Sequence, residues 1–299
     1  MLTLRNEHFQ PDLSSNLAEA LFKESVNCIE LAISSYCNRR CRYCPNYLVD
    51  RYSTEHLMSD SLFDNILKQL CKINYSRNFT IHRYNEPLAN KYNALLRISQ
   101  IRELLPQAKI LVYTNGDYLD KFLVTMLADF GVDTIHATLH LKNQFSLFDE
   151  YKEMLAQRVS ALNICFDLVE NPDDHSCRAV ASYSGMKIDY QIVDFWAKKN
   201  NGAMRAYDRG GAIGNKGFFR MEPCLMPFVQ LQIDYDGTLL PCCNIHPQLE
   251  KHKQYVLGKL TDTSNIFVEW TSMEYVRWRQ HLITFDLKKS PCTHCDMNT

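Results

Sequence analysis

Two rhythms of apolar and polar residues replace one another along the first two-thirds of the chain. Short apolar or alternating runs predict strands at Ile29–Ser34, Phe79–Tyr84, Ile110–Thr114, Thr134–His140, Ile164–Val169 and Ile188–Val193. Between them, apolar residues recur at helical spacing, as at Leu62, Ile66, Leu67 and Leu70, where Ser59-Asp60-Ser61 offers a cap. Strands alternating with helices predict an α/β fold with a parallel sheet and crossover helices. Six such units are too few for an eight-fold barrel but enough for an open one.

The rhythm breaks at Asn200–Pro223, which holds five of the ten glycines. Beyond it, Gln230–Tyr235, Asp236-Gly237 and Thr238–Leu240 predict a hairpin with an Asp-Gly turn. The chain therefore divides near residue 215. Residues 1–215 form the α/β domain, with 1–27 as an N-terminal extension, and 216–299 form a small hairpin-and-helix domain. No internal repeat or low-complexity segment is present.

Composition narrows the class without naming it. Of the 299 residues 46% are hydrophobic and 22% charged, enough to bury a core, and the net charge is −1. Neither nucleic acid nor an anionic membrane is expected as a partner. No apolar run approaches a membrane span, and the start Met1–Glu7 lacks the pattern of a signal peptide, so a cytoplasmic setting is expected. Twelve cysteines in a reducing compartment point to metal or redox chemistry rather than disulfides.

The densest group is Cys37-Asn38-Arg39-Arg40-Cys41-Arg42-Tyr43-Cys44-Pro45, just after the first predicted strand. In α/β folds that edge binds ligands. Three thiolates can hold three irons of a 4Fe–4S cluster and leave the fourth open for a substrate or cofactor. A zinc knuckle or a ferredoxin-like relay is the alternative, although each wants a fourth ligand nearby and none follows before Cys71.

Cys-x3-Cys-x2-Cys with an aromatic before the last cysteine resembles the signature of the radical S-adenosylmethionine (SAM) superfamily, with Tyr43 in the aromatic place. Tyr84-Asn85-Glu86-Pro87-Leu88 resembles the family's Gly-Gly-Glu segment, with Glu86 as the carried-over residue. Thr114-Asn115-Gly116 and Arg209-Gly210-Gly211 resemble two further family stretches, from which Asp208 departs. The resemblance covers about residues 28–215. It implies a partial (β/α)6 barrel, a SAM-binding 4Fe–4S cluster on Cys37, Cys41 and Cys44, and SAM contacts from Tyr43, Asn85, Glu86, Asn115, Thr138 and Arg209. It also implies a flavodoxin- or ferredoxin-type electron donor.

A second set comprises Cys224, Cys242, Cys243, Cys292 and Cys295. Spacing alone fits zinc as well as a second cluster. The set is similar to the SPASM and twitch extensions of the superfamily, in the short form with one auxiliary 4Fe–4S cluster on Cys224, Cys242, Cys292 and Cys295. Cys243 is then spare, either packed away or a hydrogen-atom donor.

Alternation places His136, Thr138 and His140 on one face of their strand, and Thr80, His82 and Tyr84 on one face of theirs. With the apolar faces under the helices, His82, Tyr84, His136 and His140 point into the lumen, where Asp189 and Asp194 are further candidates. Cys243, His136, His140 and Tyr84 are the expected catalytic residues. The resemblance implies a 5′-deoxyadenosyl radical that takes hydrogen from a small polar metabolite, with oxidation of a sugar or cyclitol alcohol in a biosynthetic pathway as the leading reading. A ribosomal-peptide maturase or epimerase, with Cys243 or Cys177 as thiol donor, is the enzymatic alternative. Only about 27 residues precede the first strand, so a fused leader-binding domain is not expected, although a separate partner could supply one. A zinc-binding interaction module is the alternative of another class.

Overall fold

The computed structural model describes residues 3–141, 147–171, 176–195, 206–214 and 217–297. Helix α1 (Ser15–Ser25) leads into β1 (Cys28–Leu31). Three crossovers follow, through α2 (Asp60–Lys72) to β2 (Asn78–Thr80), α3 (Lys91–Leu104) to β3 (Lys109–Thr114), and α4 (Lys121–Asp129) to β4 (Thr134–Leu139). Ser59 caps α2 by accepting from Leu62 N–H, and Asp120 caps α4 from Leu123 N–H, as short polar residues do at helix starts. The expected apolar stripe Leu62, Ile66, Leu67 and Leu70 is buried, joined by Phe63. After α5 (Phe148–Ala161) come β5 (Asp167–Asn171), β6 (Ser176–Tyr183) and β7 (Met186–Val193). The C-terminal part adds α6 (Met226–Val229), β8 (Gln230–Ile233), β9 (Thr238–Leu240), β10 (Gly258–Lys259), α7 (Ile266–Trp270) and α8 (Met273–Leu282).

Among the described residues all ten strands share one sheet, in the order β10-β9-β8-β1-β2-β3-β4-β7-β6-β5. The run from β8 to β7 is six parallel strands, giving an α/β fold with a parallel sheet. Its membership differs from the expected one. The strand predicted at Ile164–Val169 begins at Asp167 and pairs antiparallel with β6, outside the parallel run. β6 itself was not foreseen. It is joined to β7 by Ser184-Gly185, both at positive φ (49° and 81°), with Tyr183 opposite Met186. A two-residue Ser-Gly loop of this kind turns the chain back on itself, so β6 and β7 form a hairpin where a crossover was expected.

The sixth parallel strand is β8, which lies beyond the expected boundary and pairs with β1 from Cys28↔Gln230 to Leu31↔Ile233. The boundary position itself, 215–216, lies outside the described residues. β8 is buried on both faces: Leu231 and Ile233 pack in the core, and Gln232 is satisfied by Arg83 and Glu30. The predicted hairpin with β9 is present. Gly237 turns it at φ +88°, and a Cβ there would lie 2.4 Å from the Leu260 carbonyl oxygen.

The two ends of the chain pack together. Phe22 of α1 meets Trp270 and Phe267 of α7 edge-on at 5.4 and 5.0 Å. Arg279 of α8 lies 4.0 Å over Trp270 and donates to the carbonyls of Pro227, Trp270 and His8. Among the described residues no helix is long and apolar enough to cross a membrane.

Candidate active site and auxiliary cysteine cavity

The three-cysteine loop follows β1 at the C-terminal edge of the parallel strands, and neighbouring loops hold it. Cys37 N–H donates to the Arg51 carbonyl (2.7 Å), and Glu86 N–H to that of Tyr36 (2.7 Å). Arg39 grips Asp117 through Nε (2.6 Å) and Nη2 (2.5 Å); Asn38 (2.9 Å) and Arg158 (3.0 Å) reach the same carboxylate. Burial would raise the Asp117 pKa, but these bonds outweigh it and hold the group down at about 2. Burial pushes Cys37 up to about 12, Cys41 up to about 11, and Cys44 upward as well. The neighbouring thiols add to the rise at Cys37 and Cys41.

Glu86, 3% exposed, ties the second motif to the third. Its Oε1 accepts from Leu88 N–H (3.1 Å) and Thr114 Oγ1 (2.7 Å), and its Oε2 from Asn115 N–H (2.7 Å). Burial lifts its pKa to about 7 against those three bonds. Asn115 continues the lock by donating to Asn38 Oδ1 (2.7 Å). Gly116 turns at φ +74°, where a Cβ would meet the Tyr190 hydroxyl at 2.3 Å.

The lumen face of β4 follows the expected alternation: Ile135, Ala137 and Leu139 are buried in the core, and His136 and Thr138 face the other way. His82, two residues past the end of β2, forms a row of stacked rings with Tyr113 of β3 and His136 of β4, with centroids 5.0 and 4.8 Å apart. His136 Nδ1 lies 3.5 Å from Asp189 Oδ2, and Arg178 holds the same carboxylate. Thr138 Oγ1 accepts from Gln191 (3.3 Å). His140, just past β4, pairs its Nδ1 with the Tyr43 hydroxyl (2.7 Å), and both rings lean on Phe195. Burial lowers the His140 and His82 pKa values to about 3, so both are neutral at physiological pH.

Other predicted residues turn elsewhere. Asn85 bonds its own loop, at Arg83 N–H and the Ile81 carbonyl. Tyr84 donates to the Cys243 carbonyl (2.7 Å) and packs on His246. Arg209 donates to Asn244 Oδ1 (3.2 Å). Its guanidinium is buried; burial alone would lower the pKa, but Tyr84, Cys243 and Cys44 nearby raise it. Asp194 lies just past β7. Cys177 is on the face of β6 opposite Arg178 and packs in the apolar core, so it does not serve the lumen.

Cys224, Cys242, Cys292 and Cys295 line one small apolar cavity with Trp278, Leu282 and Met226. Arg220 closes it, donating to the carbonyls of Pro223 (2.6 Å), Cys295 (3.4 Å) and Met297 (2.7 Å). Asn244 Nδ2 lies 3.4 Å from Cys295 Sγ. Burial raises Cys242 and Cys292, and the other cysteines of the set raise them further. A roomier cleft of about 370 Å³ lies at Asp234–Asp236 and Pro247–Gln248, but no cysteine lines it.

The radical SAM superfamily profile matches residues 31–165, and an iron–sulfur cluster-binding domain, SPASM, matches residues 224–296. The chain carries a radical SAM domain. It carries a C-terminal SPASM-type domain, and its cofactors are SAM and 4Fe–4S clusters; the zinc-module reading is set aside. A curated relative, the S-adenosyl-L-methionine-dependent 2-deoxy-scyllo-inosamine dehydrogenase of Niallia circulans, is 34% identical over 112 residues. That match spans 38% of this chain and 44% of the relative, less than half of either. Among solved structures, BtrN in complex with AdoMet and 2-DOIA has a TM-score of 0.60 at 21% identity, over 86% of this chain and 87% of that one. AnSMEcpe with bound AdoMet has a TM-score of 0.51 at 11% identity, over 86% and 82%. These two likenesses concern the fold.

The radical SAM cysteines fit their cofactor. Thiols that burial and mutual repulsion keep protonated are relieved by cationic iron, as metal ligation requires. Among the described residues no three His, Cys, Asp or Glu side chains converge on a point as for a single ion, whereas a cubane takes one thiolate at each corner. Glu86, a buried carboxylate with no ion-pair partner among the described residues, fits the ammonium of SAM.

Period-two reading extended to β3 and β1 would have found two further lumen residues, Tyr113 and Glu30. Nothing local marks Arg39 or Asp117, which meet across 78 positions, or Arg220, which reaches Cys295 and Met297.

Proposed function

We propose that this radical SAM protein is an oxidoreductase that converts an alcohol of a sugar or cyclitol into a ketone. The observation that carries this reading is the gathering of Cys224, Cys242, Cys292 and Cys295 around one closed cavity. Four thiolates on a four-iron cluster leave no corner for substrate, an arrangement suited to accepting an electron. The partial match to a cyclitol dehydrogenase points the same way.

In this reading Cys37, Cys41 and Cys44 hold the SAM-binding cluster, and Glu86 takes the SAM ammonium. When bound, these cofactors supply a radical that removes a hydrogen atom from carbon and an acceptor for one further electron. The protein's residues orient and exclude water. Tyr43 and His140 close the loop side, and the neutral lumen groups His82, Tyr113, His136 and Thr138 match uncharged hydroxyls. Residues 1–215 carry the radical chemistry and 216–299 the auxiliary cluster. Arg40 and Arg42, exposed beside Cys41, offer a basic face to an acidic flavodoxin- or ferredoxin-type donor in a cytoplasmic setting.

The test is anaerobically reconstituted protein with SAM, a one-electron reductant and a panel of cyclitols that includes 2-deoxy-scyllo-inosamine. A ketone two mass units lighter than its alcohol is expected, with one 5′-deoxyadenosine per turnover. Cys292→Ala with Cys295→Ala should keep 5′-deoxyadenosine formation and suppress the ketone. Solvent deuterium in a product of unchanged oxidation state, lost with Cys243→Ala, would instead establish an epimerase.

A further inference from the structure

We propose that His136 is the base that takes the hydroxyl proton of the substrate, with Asp189 as its positioning residue. The inference rests on the alcohol-oxidation reading and names the group that reading leaves unassigned. Oxidising a secondary alcohol to a ketone removes a hydrogen atom from carbon, a proton from oxygen and one electron. The hydrogen atom goes to the 5′-deoxyadenosyl radical derived from SAM, and the electron to an oxidised iron–sulfur cluster. The proton needs a neutral acceptor in the lumen.

His136 meets that need in geometry. It sits on the lumen face of β4, directly opposite Tyr113 on β3 and Asp189 on β7. The Tyr113 ring lies 4.8 Å away and within 17° of parallel, which fixes the imidazole plane. Asp189 Oδ2 lies 3.5 Å from Nδ1. A carboxylate there selects the tautomer with the proton on Nδ1 and leaves Nε2 as the acceptor. Asp189 is 4% exposed and anchored by Arg178, so its orientation is set. Among the described residues no hydrogen bond occupies Nε2.

The other lumen histidines are less suited. His140 Nδ1 is engaged with Tyr43, and among the described residues His82 has no carboxylate partner and meets Thr80 Oγ1 at 3.4 Å. The charged groups facing His136 are Asp189 and Lys187 from β7 and Arg178 from β6, with the Tyr113 hydroxyl from β3. Burial, Lys187 and Arg178 lower its pKa and Asp189 opposes them, so the ring is neutral at pH 7.

Two measurements on the cluster-loaded protein test this. Nitrogen-15 histidine NMR, which needs no turnover, should find His136 neutral at pH 7 with its proton on Nδ1, and Asp189→Asn should lower its pKa further. With a cyclitol that the wild type oxidises, His136→Gln should still form 5′-deoxyadenosine while ketone per 5′-deoxyadenosine falls about a hundredfold, the lower end of the range for a general base. Raising the pH should restore part of it as hydroxide substitutes. Ketone formation by the wild type should fall as pH drops through the His136 pKa, and Asp189→Asn should move that limb to lower pH. An unchanged ratio and pH profile in His136→Gln, or a proton on Nε2 by NMR, overturns the base assignment alone. No ketone from the wild type with any cyclitol overturns the functional reading, and the base assignment with it.

Discussion

The Tyr84 hydroxyl donates to the backbone carbonyl of Cys243 at 2.7 Å, across 159 positions of sequence. Beside it, Arg83 donates to the carbonyls of Cys242 (3.3 Å) and Ile245 (3.1 Å). The loop after β2 thus clasps the loop bearing an auxiliary cysteine, while Glu86, two positions beyond Tyr84, bonds the β3 turn. One short segment sets the relation between the SAM side of the site and the auxiliary cavity.

Seven cysteines in two sets predict about eight irons per chain. Replacing Cys37, Cys41 and Cys44 together by Ala should leave about half the iron and sulfide and abolish SAM cleavage. Iron analysis of anaerobic preparations checks this, and loss of all iron in the triple variant would show the two sets to be interdependent.

In the proposed reading, Glu86→Gln removes the charge that pairs with the SAM ammonium. A charge-assisted hydrogen bond contributes about 1.5–3 kcal/mol, so SAM affinity should fall about ten- to a hundredfold while both clusters persist. Calorimetric titration of the loaded variant with SAM measures it. Equal affinity would leave Glu86 only its visible task of holding Thr114 and Asn115.

Arg51 and Asp234 form an ion pair with both side chains 1% exposed, and Arg51 also donates to Gln248. Asp234→Asn would leave a buried guanidinium without its charge partner, a change that costs about 3–5 kcal/mol. Because the Arg51 carbonyl accepts from Cys37 N–H, iron retention in the first site should fall too. Denaturant unfolding and iron content of this variant provide the check.

Asp117 sets an acid limit on the loop lattice. Its folded pKa of about 2 lies below the ordinary value of about 4, so its contribution is present above pH 4 and is lost as pH falls toward 2. That contribution is about 2 kcal/mol, given that the side chain is 22% exposed. Asp117→Asn should cost about that much at pH 6 and flatten the stability profile between pH 4 and 2, as followed by thermal unfolding.

By itself the sequence determined the α/β class, the positions of β1 to β4 and β7, and the two cysteine sets, because each is written in neighbouring residues. Alternation in Thr134–Leu139 fixes which side His136 presents whatever the strand pairs with, since successive side chains must point to opposite faces. The tertiary structure alone decided partners. Gln230–Ile233 reads as a strand of a hairpin, but nothing local says that its other edge lies beside Cys28–Leu31, some 200 positions earlier. Ser184-Gly185 is a local turn signal that a reading by alternation does not use, and the alternation of the preceding elements predicts a crossover there instead. The bonds Arg39–Asp117, Tyr84–Cys243, Arg51–Asp234 and His136–Asp189 likewise join residues that pattern cannot couple. Periodicity records which face of an element avoids water, whereas the choice of neighbour is made by packing the whole chain, where burial of a charged or polar group is tolerated only beside its partner.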